Sequence, residues 1–193
     1  MNGSGGKNRT LITLGILVVI ALVAGVGVMS GYNGVVTMDE AVKSRWAQVD
    51  NQLKRRYDLV PNLVETVKGY AKHEKEIFEN LALARTKYFQ TGDVKGKIEA
   101  TGDFERALSR LLVLKETYPQ LRANENFLKL MDSLEGTENR LSVERKRYND
   151  AVQTLNTYIR TVFGRFFANL AGVGPAEYYR TPEKEKETPK VKF

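Results

Sequence analysis

The sequence contains no cysteine and a single histidine, and these two shortages exclude more chemistry than any motif in it supplies. Without cysteine there is no disulfide, no thiolate nucleophile, no lipid-modified cysteine, and no zinc or iron–sulfur centre built on thiolates. His73 alone rules out a di-iron bundle, which needs a Glu-x-x-His on each of two helices. With Glu74 and Glu76 beside it, it makes at most a partial ligand set, and the plain reading is an exposed helical histidine. No nucleophile elbow, phosphate-binding loop, HExxH or dinucleotide fingerprint occurs. The carboxylate pairs Asp39–Glu40 and Glu183–Glu185 fall among charged positions and read as solvated faces. No catalytic residue, metal or cofactor is therefore expected, and the protein reads as a non-enzyme. Proline is also scarce, and of the five only Pro61 interrupts an apolar period. No segment reads as a strand.

Charge is balanced more than it is one-sided. The net +7 arises from 30 basic and 23 acidic residues with the signs interspersed. A nucleic-acid binder would show a basic stripe with motif geometry, and none is present. A mild attraction to anionic lipid head groups is the better reading.

What the sequence does have is residues 11–30, LITLGILVVIALVAGVGVMS, in which no side chain is charged. Twenty helical residues at about 1.5 Å each cover roughly 30 Å, the hydrocarbon thickness of a bilayer. A cleaved signal peptide is the competing reading, since Lys7 and Arg9 precede the stretch. Signal cores usually run about 7–15 residues, and no clear A-x-A site follows, so a retained single-pass anchor in the cell membrane is favoured. The basic residues tight against its start place the bulk of the chain outside the cytoplasm. Lys54, Arg55 and Arg56 pull the other way.

Residues 1–10 read as a short tail, 31–36 as a break, 37–175 as a helical bundle domain and 176–193 as a largely disordered tail whose end is charged. The break rests on Gly31 and Gly34, and on Thr37-Met38-Asp39-Glu40 as a capping box opening a new helix. From there Val42, Trp46, Val49, Leu53, Tyr57, Val60, Leu63, Val67 and Tyr70 recur every three or four residues, with Pro61 predicting a kink. The period continues through Ile77, Phe78, Leu81, Ala84 and Tyr88 until Thr91-Gly92-Asp93 supplies a stop. Residues 93–100 read as a loop, and Thr101-Gly102-Asp103 as the start of a helix carrying Phe104, Ala107, Leu108, Leu111, Leu112 and Leu114. Tyr118-Pro119 ends it. Asn124 is the candidate N-cap of a long third helix with Phe127, Leu130, Leu134, Leu141, Tyr148, Val152, Leu155, Ile159 and Val162 on its stripe. Phe163, Phe166, Phe167 and Leu170 then form a short aromatic segment, read as a cap on the bundle, with a surface dipping into lipid as the alternative. The fold class is all-α: an N-terminal transmembrane helix, then an elongated antiparallel bundle of long helices.

Polar residues are woven into the apolar stripes, where they cost desolvation unless partnered. Gln52, Arg55, Arg56, Asn62, Asn126, Asn139, Asn149 and Asn156 stand at such positions, and Asp58 and Pro61 join them as candidates from the cluster between Gln52 and Asn62. They read either as register-setting residues or as the lining of an interaction surface or polar groove.

The string from Val49 to Tyr70, VDNQLKRRYDLVPNLVETVKGY, resembles the signature segment of the LemA family. The resemblance continues in YPQLRANENF from Tyr118, in LEGTENR from Leu134 and in YNDAV from Tyr148, and Tyr32-Asn33 after the apolar stretch also fits. It implies a single-pass membrane protein with an elongated helical bundle and no established catalytic activity, with roles suggested in envelope or membrane organisation. Where the family tends to show Phe-Pro after its last long helix, this chain has Val162-Phe163-Gly164, so the final turn is not given by the resemblance. Together these readings predict a membrane-anchored scaffold or adaptor, in the bilayer through residues 11–30, that assembles with itself or recruits other membrane proteins. The alternative is a module that binds a ligand or peptide in a polar groove between helices.

Overall fold

A computed structural model of the chain describes residues 4–180, with side chains from residue 11 onward. Among the described residues there is no strand. The elements are α1 (Ser4–Lys68), α2 (Lys75–Gln90), α3 (Val94–Thr117), a 3-10 turn (Pro119–Ala123), α4 (Glu125–Arg160) and α5 (Val162–Ala171). The fold is all-α, as expected. The described residues fall into two compact units. One comprises the chain up to Lys43 with Ala151–Ala176, and the other comprises Ser44–Asp150 with the chain from Glu177 onward.

In the first unit α1 is helical from Ser4 and runs without interruption through Gly31, Gly34 and Thr37. Residues 4–10, expected as a tail, are thus part of the helix, and the break expected at 31–36 is corrected. A glycine costs a helix only about 1 kcal/mol, less than the cooperative gain of joining the good helix formers on both sides. Thr37 does not cap anything. Its hydroxyl donates to the Asn33 carbonyl at 2.8 Å, the back-bond of a threonine inside a helix. Asp39 and Glu40, expected at the new N-terminus, instead pair with Lys43 one turn on.

The side chains of residues 11–29 stand exposed, whereas Val35 and Val42 are buried. The stretch is long and apolar enough to cross a membrane. α4 lies against this end of α1, with Met38 sharing a groove with Gln153, Thr157 and Thr161. Thr161 then interrupts the helix and caps α5, its hydroxyl accepting from the Gly164 amide at 3.0 Å. A Cβ at Gly164 would run into the Tyr158 carbonyl, so the turn in which this chain departs from Phe-Pro depends on glycine. Gly172, at φ 67°, closes α5 in the left-handed conformation. In the extended segment that follows, Asn156 grips Ala176 at both ends of its amide, donating to the carbonyl and accepting from the N–H at 2.9 Å each.

The second unit is built on the remainder of α1. Val49, Leu53, Tyr57, Val60, Leu63 and Val67 are all buried, so the periodic stripe is its core face. The helix expected to continue to Tyr88 instead ends at Lys68, and the chain reverses through residues 69–74, where the Tyr70 and Ala71 amides both donate to the Val67 carbonyl. The reversal lets the apolar face of α2 fold back onto α1. Tyr88 stacks beside Tyr57 with ring centroids 4.5 Å apart, whereas a continuous helix would hold the two roughly 45 Å apart. Thr91-Gly92-Asp93 does stop α2, but no loop follows it. The Asp93 carboxylate accepts from the Gly96 amide at 2.9 Å and starts α3 at Val94, seven residues before the expected Thr101. Pro119 and Asn124 act where expected. The Asn124 side chain accepts from the Phe127 amide at 2.9 Å and opens α4.

Cross-helix partners give the directions. Along α1, Trp46 meets Tyr148 and Arg56 meets Glu138, and just past its end Tyr70 meets Asn124 at the start of α4, so α1 and α4 are antiparallel. Asp50 meets Lys97 and Tyr57 meets Phe104, so α3 runs parallel to α1, with α2 reversed between them. The tail expected from residue 176 is corrected for its described part. Tyr148 donates to the Glu177 carbonyl at 2.7 Å, Asn149 holds the Tyr179 backbone by both its N–H and its carbonyl, and Tyr179 is buried. The remainder of that tail, from residue 181, lies outside the described residues.

Pro61 lies inside α1 and leaves the Tyr57 carbonyl without its usual donor. Arg85 of α2 supplies one, its Nε donating to that carbonyl at 3.3 Å. Replacing Arg85 by alanine is expected to cost about 1 kcal/mol more in the natural chain than in a Pro61→Ala background, where the restored amide takes over. The contacts of Arg85 with Asp58 and Phe89 are present in both backgrounds and cancel. Denaturant unfolding of the four combinations measures this, and equal costs in both backgrounds would refute it.

Candidate interaction and register site

The segment from Val49 to Tyr70 carries its charged residues on two different faces of α1. Asp50 and Arg56 point inward. Asp50 follows Val49 on the buried stripe, four residues after Trp46 and three before Leu53. Its carboxylate accepts from the Tyr88 hydroxyl at 2.6 Å and from the Lys97 ammonium at 2.7 Å, and pairs with Lys54 at 2.6 Å. Burial opposes the charge, but these three partners together outweigh it and hold the carboxyl at about 2. The Tyr88 hydroxyl moves the other way, raised by burial and then by the neighbouring Asp50. Tyr88, Tyr57 and Phe104 pack edge and tilt around this point, and Tyr57 leans toward the Thr101 hydroxyl at 3.4 Å.

Two turns along, Arg56 joins three helices. Its guanidinium pairs with Glu138 of α4 and lies 3.5 Å from Glu105 of α3. Arg145 of α4 pairs with Glu105 and, at 3.3 Å, with Glu138. The quartet is neutral overall, and Arg56, Arg145 and Glu105 are largely shielded from solvent. Burial works against the Arg145 charge, yet Glu105 and Glu138 are among the groups that hold its guanidinium above its ordinary value. Its other side lies 4.6 Å from the Tyr179 ring centroid, in cation–π contact. Tyr179 is raised to about 12 by burial. The Nε atoms of Arg56 and Arg145 and Oε1 of Gln52 are buried with no hydrogen-bond partner.

Most of the remaining sequence candidates face outward. Arg55, Asp58, Pro61, Asn62, Asn126 and Asn139 are exposed, and Gln52 and Asn149 are half-buried. Asn62 and Asn126 come together across α1 and α4, lining an open groove of about 440 Å³ with Glu65, Thr66, Lys129 and Leu130. The inward group thus consists of Arg56 and Asn149, together with Asp50, Tyr88, Lys97, Glu105, Glu138, Arg145 and Tyr179, which are not among the site candidates read from sequence. For Asp50 the signal was available, because its spacing puts it on the core stripe.

A family model of the LemA family matches residues 45–193. The chain belongs to the LemA family. Within the matched span of this LemA-family chain lie both the Asp50 cluster and the Arg56 quartet. Among relatives, the chain is 27% identical over 201 residues to magnetosome protein MamQ 2 of Paramagnetospirillum magneticum, covering 91% of this chain and 73% of the relative. Magnetosome protein MamQ 1 of the same organism matches equally. Magnetosome protein MamQ of Magnetospirillum gryphiswaldense is 23% identical over 200 residues, with 90% and 73% covered. The apolar first helix, long enough to cross a membrane, supports membrane association.

Proposed function

We propose that this chain is a non-enzymatic, single-pass membrane scaffold or adaptor, with residues 31 onward on the outer side of the membrane, that assembles with itself or recruits membrane partners. The observation that carries this reading is the direction of the signature charges. Asp50 and Arg56 are turned inward and neutralised on α2, α3 and α4, so they act on how the helices pack. Their role is to set helix register, and the outward residues Arg55, Asp58, Asn62, Asn126 and Asn139 form the surface offered to partners. The relatives' description as magnetosome proteins fits membership of a larger assembly. The groove at Asn62 and Asn126 favours a second reading, a ligand- or peptide-binding module. Against it, the amides of Asn149 and Asn156 are already paired with backbone at both ends.

Photo-crosslinkers placed singly at Asn62 and Asn139 in native membranes test the proposal. Bands at twice the monomer mass or above, from either position, are the expected result. Monomer alone from both positions refutes assembly, and label transfer only to a small component from Asn62 favours the groove reading. For sidedness, one cysteine introduced into the 182–193 tail is expected to react with an impermeant reagent in intact cells. Reaction only after lysis reverses the orientation.

A further inference from the structure

α5 presents three faces. At about 100° per residue, Gly164 and Ala168 lie together and are buried, while Arg165 and Asn169 lie together and are exposed. The third face carries Val162, Phe163, Phe166 and Leu170, and it too is exposed, Phe163 by 75% and Phe166 by 58%. A bundle cap would bury these rings. An exposed aromatic face of this kind on ten residues needs an occupant.

Its place within the first unit identifies the occupant. Next to this face, the Phe167 ring lies on α1 at Gly31, so close that a Cβ there would overlap it. Gly31 is the residue directly after the uncharged stretch, at the point where α1 changes character. Met29 is 68% exposed and Val35 is fully buried. α5 is thus held beside α1 where the helix passes from bare apolar surface to packed protein, the level at which an anchor through residues 11–30 would leave the bilayer.

We propose that α5 is a second membrane contact: it lies in the interface beside the anchor, with Val162, Phe163, Phe166 and Leu170 among the lipid head groups and upper acyl chains. An interfacial helix buries its apolar face about 5–10 Å deep. The small cationic contribution of Arg160 and Arg165 is no obstacle, because tethering through α1 supplies the effective concentration that free amphipathic helices obtain from charge. The inference rests on the membrane-anchor reading, and its test separates the two.

The chain lacks cysteine, so single cysteines carrying an environment-sensitive fluorophore can be placed at Val18, Phe163, Arg165 and Asn139 of the full-length protein. Each protein is reconstituted in phosphatidylcholine vesicles with a minor phosphatidylglycerol fraction, containing lipids with quenchers at the head group or deep in the acyl chain. Unchanged circular dichroism confirms that each labelled protein is folded. Deep quenching at Val18, shallow quenching at Phe163 several-fold stronger than at Arg165, and none at Asn139 are expected. Deep quenching at Val18 with Phe163 as unquenched as Asn139 overturns the α5 contact and leaves the anchor standing. An unquenched Val18 overturns both. A Phe163 label shielded from water but not quenched by lipid, and released on dilution of the protein in the bilayer, assigns the face to a second copy and overturns the proposal.

Discussion

Replacing Glu105 by glutamine is expected to remove about 3–5 kcal/mol of stability, a large fraction of the roughly 5–15 kcal/mol that holds a typical domain. The substitution keeps shape and volume and deletes one negative charge. Arg145 then loses its partner on α3, and Arg56 and Arg145 are left sharing Glu138 alone. Both guanidiniums remain largely buried, and neither Nε has a partner to redistribute toward. The cost is that of uncompensated buried charge, well above the 0–1 kcal/mol of a surface pair. Replacing all four members by apolar residues of similar size is expected to be neutral or stabilising by about 1–4 kcal/mol, because removing the whole set removes the desolvation penalty as well. Denaturant unfolding of the two variants in detergent measures the contrast. A single substitution costing under about 1 kcal/mol would show that the quartet behaves as a solvated surface network. If the quartet sets register, the apolar variant should retain helicity while its cross-helix pairs, such as Trp46 with Tyr148, become heterogeneous in spectroscopic distance measurements.

How far such features can be read in advance depends on whether their cause is local. Pro119, Asn124 and the stop at Thr91-Gly92-Asp93 act through their own backbone and neighbouring amides, and they fall where local chemistry puts them. The stripe on α1 is legible because periodicity reports burial. The reversal after Lys68 is not, since α1 and α2 carry the same period and only the packing of Tyr88 on Tyr57 separates them. Gly31 departs from the helix-breaking role its local sequence predicts for a related reason. Its glycine accommodates the Phe167 ring from more than a hundred positions away, and locally it looks like a helix breaker. At the candidate site, Arg56 and Asn149 could be named because polar residues on an apolar stripe require partners. Which partners they find, Glu105 and Glu138 for one and the Tyr179 backbone for the other, is decided by helix pairing that no local pattern encodes.

Asp50 yields the pH-dependent counterpart of the Glu105 result. Asp50→Asn is expected to cost about 2 kcal/mol at neutral pH, from a carboxyl held at about 2 against an ordinary 3.8. The folded-state value is the depressed one, so the stabilisation is fully present above the ordinary value and is lost as pH falls through about 2. The natural chain and the variant should therefore differ by about 2 kcal/mol at pH 7, converge through the interval from about 4 to 2, and be equal below it. The asparagine oxygen still accepts from Tyr88, which keeps the aromatic packing in place and confines the change to the charge. Lys97, largely buried and paired with Asp50 at 2.7 Å, is the group left uncompensated. Urea unfolding of both chains across this pH series gives the difference directly, and the other carboxylates, common to both, cancel from it. A difference independent of pH would mean that Asp50 contributes shape or hydrogen bonding and not its charge. A difference that grows on acidification would reverse the sign of the coupling and place the ionised carboxylate among the groups that burial destabilises.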